Sequence, residues 1–231
     1  MGKDNDGGYL VEKKSIESSK ALISFGINTD WSFEKDFSSI NKGKIHAYDH
    51  TVNNNFFIKK IIKDFLKIFT GNFFLWIKSF ILFKDYLSFF KNNNTHYVEK
   101  IGSEEGCTFL QKTIERVNEN PIFLKIDIEG SEYRIMDEII KNSKNISGMA
   151  IEFHDVDLHK ERIKDFILNF PLELVHIHGN NFSSLDHNGD PLSLELTFAA
   201  KPVVLESEYK IPHNLDQKNN PASDEQVLNF N

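Results

Sequence analysis

Short apolar runs alternate with helical periodicity after the first twenty or so residues, and this alternation restricts the chain more than any other feature. Strands joined by crossover helices make a mostly parallel sheet, so an α/β fold is expected. The spacing predicts strands at Ala21–Phe25, Lys44–Tyr48, His96–Ile101, Ile122–Asp127, Gly148–His154, Glu173–His178 and Ser193–Ala199. Between them Phe33, Phe37 and Ile40 repeat at helical spacing, as do Leu110, Ile114 and Val117, and Tyr133, Met136 and Ile140. Thr108 followed by Gln111 has the spacing of a capping box and would open the second of these helices. The last two strands are joined by residues rich in Asn, Ser, Asp and Gly without helical period, which predicts an antiparallel ending.

With 231 residues, 40% of them hydrophobic and 26% charged, the chain can bury one substantial core. One domain is therefore expected over residues 1–205, followed by a polar tail over 206–231 that carries Pro212 and Pro221 and is expected to be loosely held. A helical, Phe-rich insertion interrupts the alternation at 56–91. Ile58, Ile61, Ile62, Phe65, Leu66 and Phe69 form its helical stripe, Gly71 and Asn72 break it, and Phe73 to Phe83 is then apolar almost all round. A membrane span needs roughly 20 apolar residues; this run is shorter and contains Lys78. The plain expectation is a helical insertion packed on the sheet, and the sharper ones are a substrate lid, a homo-oligomer surface or a peripheral membrane helix that meets a lipid-linked acceptor.

The net charge of −7 disfavours a nucleic-acid partner, which needs a concentrated basic surface, and fits a small-molecule acceptor better. The single cysteine, Cys107, excludes an intramolecular disulfide and a thiolate zinc cage. The polar start Met1-Gly2-Lys3-Asp4 is not a secretory signal, so a cytoplasmic location is expected.

The first strand runs into Gly26-Ile27-Asn28-Thr29-Asp30, a strand–turn–helix junction at the end of an α/β sheet where ligands bind. The second strand ends in Asp49, at the roughly 20-residue spacing of an acid that receives ribose hydroxyls. Gly26 stands alone rather than in GxGxxG, which leaves a pyrophosphate without its usual cradle and favours an adenosyl cofactor without phosphate. A plain turn glycine and a capping acid are the bland alternatives for the two. On the other half of the sheet three successive strand ends carry acid or imidazole groups: Asp127 with Glu129, then Glu152 with His154, then His176 with His178. Strand alternation puts Lys125, Asp127 and Glu129 on one side if the chain stays extended. Glu132 has an ordinary role as a first-turn acid, and His176, which precedes its strand end, one as a core histidine. Tyr9, after Asp6-Gly7-Gly8, either covers a cofactor or packs on the domain edge.

Lys125-Ile126-Asp127-Ile128-Glu129-Gly130-Ser131-Glu132 resembles the signature of the FkbM methyltransferase family, a strand reading Lys-hydrophobic-Asp-hydrophobic-Glu-Gly followed by a small residue and Glu. Looser pieces agree: Asp6-Gly7-Gly8-Tyr9, Ser24-Phe25-Gly26-Ile27, the strand ending in Asp49, His176-Ile177-His178 with Asn180-Asn181, and Glu195-Leu196-Thr197-Phe198. The resemblance implies a class I, Rossmann-like methyltransferase fold, S-adenosylmethionine as cofactor, and O-methylation of a sugar hydroxyl in a glycan, glycolipid or natural product. In that setting His154 is expected as general base, Asp127 as its orienter, Glu129 as a substrate holder, and His178 in the same catalytic group. Gly26, Ile27, Asn28, Asp30 and Asp49 are the cofactor-binding candidates. Asp127, Glu152, His154 and His178 are also competent ligands for a divalent metal that could clamp two hydroxyls. The rivals are a non-catalytic partner subunit with the same fold and a metal-dependent hydrolase.

Overall fold

The computed structural model of the chain describes residues 1–67, 73–203 and 211–228. In order they form α1 (Lys13–Ser18), β1 (Ala21–Phe25), α2 (Ser32–Ile40), β2 (Lys44–Tyr48), α3 (Asn54–Leu66), α4 (Phe73–Phe89) and β3 (Asn94–Tyr97). There follow α5 (Leu110–Val117), β4 (Ile122–Ile126), a 3-10 turn at Glu132–Arg134, α6 (Met136–Lys141), β5 (Ile146–Phe153), α7 (Val156–Asn169), β6 (Glu173–Gly179) and β7 (Leu194–Ala199). The strands pair in the order β3-β2-β1-β4-β5-β7-β6, parallel except for β7, which is antiparallel to both neighbours. This is the mostly parallel seven-stranded, Rossmann-like arrangement with an antiparallel ending that the sequence predicts. Strand order reverses between β1 and β4, which places a ligand crevice above their carboxyl ends.

Alternation in the central strands divides the core. Ile23, Phe25, Leu124 and Ile126 face the layer of α5, α6 and α7, while Leu22 and Phe123 face α1 and α2 with Ile16, Phe33 and Phe37. Both sides of β1 and β4 are buried, so these strands read as continuous apolar runs rather than as alternating ones. The exceptions, Ser24 and Lys125, lie on the α2 side, where Ser24 hydrogen-bonds the buried Glu34.

Four expectations need correction. The third strand is Asn94–Tyr97, not His96–Ile101; Ile101 makes only an isolated bridge to Thr108. The expected capping box at Thr108 does not form: Phe109 is the cap residue of α5, and the Thr108 hydroxyl donates to Glu99 Oε2 at 2.7 Å. Described residues of the tail pack back on the sheet rather than lying loose. Asn219 donates to Glu195 Oε1 at 2.6 Å, and Asp216 lies 2.9 Å from His176 Nε2, which satisfies that histidine in the interior. Tail residues 206–210 and 229–231 lie outside the described residues.

The fourth correction concerns the insertion. It is a helical hairpin rooted by Phe57 and Tyr86 against Trp31 and Val52. Its stripe, however, is not the packing face, because Ile58, Ile62, Phe65 and Leu66 are all exposed. Phe69, Gly71 and Asn72 lie outside the described residues.

Candidate active site

The carboxyl ends of β1 to β6 enclose a cleft of about 760 Å³, a size that holds a cofactor-sized ligand. Its first wall is the turn after β1. Gly26 has φ +75, a left-handed conformation, and donates its N–H to Tyr48 O, while its carbonyl accepts from Lys125 Nζ at 2.6 Å. Asp49, at the end of β2, is spent on the same turn. Its Oδ2 accepts from the backbone N–H of Ile27 and Asn28 at 3.1 and 2.7 Å, and its Oδ1 from the N–H and hydroxyl of Thr51. Burial disfavours its charge, but the Thr51, Asn28 and Ile27 bonds outweigh that and lower its pKa. Asp49 thus fixes the turn that lines the cleft, and all four of its bonds are to protein groups. Asp30 does similar local work, accepting from Ser32 N at 3.0 Å and pairing with Lys3.

The opposite wall carries the titratable groups. Lys125 and Asp127 share one side of β4 as alternation requires, with Lys125 Nζ 3.6 Å from Asp127 Oδ2. The chain does not stay extended to Glu129: that residue has φ 53 and Gly130 φ 89, so a left-handed turn leaves the Glu129 side chain 84% exposed at the rim. Glu152 near the end of β5 and His154 just beyond it lie on the same side as Asp127, which immediately follows β4.

His154 is the centre of this wall. Its Nδ1 lies 2.7 Å from Oε1 of Glu132, whose residue is fully buried, and its Nε2 faces Glu129 Oε2 at 3.6 Å, Glu152 Oε1 at 3.7 Å and Asp127 Oδ1 at 4.0 Å. Burial alone would lower the pKa of the imidazole. The hydrogen bond and charge of Glu132, with the charges of Glu152 and Asp127, more than offset it and raise His154 to about 9. Glu132 Oε1 also accepts from Ile128 N–H, at the longer distance of 3.4 Å, and its Oε2 is buried without a hydrogen-bond partner, so His154 is the closest partner of that carboxylate.

Glu152 accepts from Asn180 Nδ2 at 2.8 Å and Ser193 Oγ at 2.6 Å. Burial, then the charges of Asp127 and Glu195, push its pKa up. Tyr9 is buried with its hydroxyl 3.2 Å from Glu152 Oε2 and 3.3 Å from Asp127 Oδ2; burial first and these carboxylates next hold it well above the ordinary phenol range. One hydroxyl proton therefore serves two carboxylates.

His178 does not join this group. Glu195 Oε2 stands 3.1 Å from its Nδ1 and Glu225 Oε1 bonds its Nε2, so both ring nitrogens are engaged, and the side chain lines a separate small cleft with Glu195 and Asp216. It thus stands apart from Asp127, Glu152 and His154, with which the sequence groups it. Among the described residues, the groups that could hold a metal are Asp127, Glu152 and His154, with ligand atoms within 4.8 Å of one another. The sequence gives Glu132 an ordinary role as a helix-end acid and leaves two roles open to Tyr9; both sit behind this wall. Their signals were the last residue of the strand-four motif and the Gly-Gly-Tyr near the start.

No family model and no curated protein matches the chain. Among solved structures it is similar to the METTL16 MTase domain, at 9% identity and a TM-score of 0.45 over 82% of this chain and 65% of that one. It is also similar to an rRNA methylase from Streptococcus thermophilus, at 9% identity and 0.41 over 82% and 94%, and to 23S rRNA methyltransferase ErmE, at 9% and 0.41 over 87% and 73%. The chain thus spans about two thirds of the first of these. All are distant likenesses.

Proposed function

We propose that the chain is an S-adenosylmethionine-dependent O-methyltransferase of FkbM type that methylates a hydroxyl of a sugar or another small polar acceptor. The observation that carries this is His154, oriented by buried Glu132 and opening through Nε2 on a cleft that also contains the Gly26 turn. The residues present suit the cofactor. Asp127, Glu129, Glu132 and Glu152 surround a wall whose cations are His154 and Lys125, and such a field favours a cationic sulfonium over a phosphate-bearing ligand. The cofactor, when bound, supplies an activated methyl group for transfer to oxygen.

The protein's share of the work is orientation and proton removal. The cleft ends of β1 to β3, including Gly26, Asn28 and Asp49, hold the adenosyl half, and the ends of β4 and β5 present the acceptor. Asp127 and Glu129 accept hydrogen bonds from acceptor hydroxyls. Neutral His154 takes the hydroxyl proton at Nε2, and Glu132 stabilises the resulting imidazolium through Nδ1–H. Calorimetric titration with S-adenosylmethionine and S-adenosylhomocysteine tests the cofactor half. Micromolar binding is expected, weakened at least about fivefold in Asp49→Ala, since removing a bonded buried carboxylate leaves the N–H groups of Ile27, Asn28 and Thr51 unpaired and loosens the turn that lines the cleft, at about 1–3 kcal/mol. No binding to the wild type would leave the partner-subunit and hydrolase readings.

A second reading has its own support in Asp127, Glu152 and His154, which converge with Glu132 behind the histidine as an outer-shell carboxylate. A divalent ion there would clamp two hydroxyls and acidify one. Under this reading Mn²⁺ binds stoichiometrically in calorimetry and the Glu152→Gln variant loses that heat; activity indifferent to chelator, with no Mn²⁺ heat, removes it.

A further inference from the structure

The α3–α4 hairpin is built the wrong way round for water. A water-soluble helical pair buries its apolar stripe between the helices and turns charge outward. Here, among the described residues, those buried between them beyond the aromatic root are Asp64 and Ser79: Asp64 accepts from Ser79 Oγ of α4 at 2.6 Å and is flanked by Lys60 and Lys67 at 3.0 and 3.1 Å. Of the stripe, Ile58, Ile62 and Leu66, at i, i+4 and i+8, point out, Phe65 is 46% exposed with its ring edge-on to Trp76 of α4 at 5.8 Å, and on α4 Phe74 and Ile81 are 75% and 58% exposed. Nine of the twenty exposed large hydrophobic side chains among the described residues lie between Ile58 and Leu87, so the exposure is concentrated on this one element.

Charge names the medium that covers it. Residues 54–91 carry seven lysines against two aspartates in a chain whose net charge is −7. Lys59 and Lys63, four residues apart on α3, form a band beside its apolar stripe, and Lys67, paired with Asp64, follows at the same spacing just beyond the helix. An apolar strip edged by lysines, with aromatic residues and a polar contact held inside, matches the interface of an anionic bilayer: acyl chains take the strip, and phosphates take the lysines. A second copy of the same hairpin would bring lysine bands of like charge together. No helix among the described residues is long and apolar enough to cross a membrane, so the contact is one of lying on the surface.

We propose that the outer face of the α3–α4 hairpin docks the protein on anionic lipid bilayers. The full chain is mixed with vesicles of phosphatidylglycerol and phosphatidylethanolamine, or of phosphatidylcholine alone, and sedimented. It is expected to pellet with the first and stay in solution with the second, and its tryptophan emission to shift to the blue on binding. Trp31 is buried, at 2% exposure, so that shift reports Trp76. Ile62→Glu with Leu66→Glu abolishes pelleting at an unchanged melting temperature, since both side chains are exposed. Lys59→Gln with Lys63→Gln weakens it about fivefold per lysine, roughly twenty-fivefold in all. Wild type that stays in solution with anionic vesicles overturns the proposal, as does pelleting that survives Ile62→Glu with Leu66→Glu. A stable dimer in light scattering that this variant splits, without pelleting of the wild type, assigns the face to a second copy instead.

Discussion

Replacing His154 with asparagine is expected to lower kcat/KM for methyl transfer by about 10²–10⁴-fold, the usual share of a positioned general base, while S-adenosylmethionine still binds. The pH profile carries the sign. A base works only when deprotonated, and the folded protein holds His154 near a pKa of about 9, so wild-type kcat/KM should climb through neutral pH and level off only above that value. Glu132→Gln removes the charge that holds the proton on Nδ1 and leaves burial as the larger influence, so the climb should move to lower pH. A merely structural Glu132 would reduce activity without moving the profile. A profile unchanged in both variants would place the base elsewhere, and Glu152, whose pKa burial and Asp127 raise, is the next group in reach.

The elements that carry the site were legible because they are buried on both faces. Ala21–Phe25 and Lys44–Tyr48 read as strands residue for residue: the first is an almost wholly apolar run, and the second, although it carries Lys44 and His46, is as short and bounded by turn residues. β3 was displaced because it lies on the sheet edge and its residues, Asn94 to Tyr97, are only half-buried; the apolar Val98 and Ile101 beyond them misled the boundary. Helix α7 carries a weak sequence signal for a similar reason, as Val156, Ile163 and Phe166 are its only buried residues among many charges. The same limit applies to the site. Asp127, Glu152 and His154 come together at neighbouring strand ends, because sheet topology fixes where strand ends go. The partnership of Glu132 with His154 spans 22 residues and that of Tyr9 with Glu152 spans 143, and no local pattern encodes such pairs. His178 shows the converse: it stands at a strand end, but β7 is inserted between β5 and β6, so Glu195 separates it from Glu152 in the sheet and takes one of its nitrogens.

Gly26→Ala should be the most damaging single methyl added to this wall. A Cβ built on Gly26 would stand 1.6 Å from the carbonyl oxygen of Asp127 and 2.8 Å from its carbonyl carbon, and both are backbone atoms. Neither strand can yield cheaply, because Gly26 N–H is bonded to Tyr48 O and Asp127 N–H to Phe25 O, both at 3.0 Å. A left-handed φ of +75 adds about 1–2 kcal/mol for any residue with a Cβ. Together with the overlap, a loss above about 3 kcal/mol is expected, a large part of the 5–15 kcal/mol that holds a typical domain. At about 2–4 °C per kcal/mol for a chain of this length, the melting temperature should fall by roughly 6–12 °C or more. Gly130→Ala is the control. That glycine is also left-handed, at φ +89, but the nearest atom to its Cβ is Asp155 Oδ2 at 3.8 Å, so conformational strain is its whole cost and the loss should stay near 1–2 kcal/mol. Equal, small losses in the two variants would mean that the ends of β1 and β4 are not held in backbone contact. The wall joining the Gly26 turn to Asp127 would then be looser than the bonds at Tyr48 and Phe25 require.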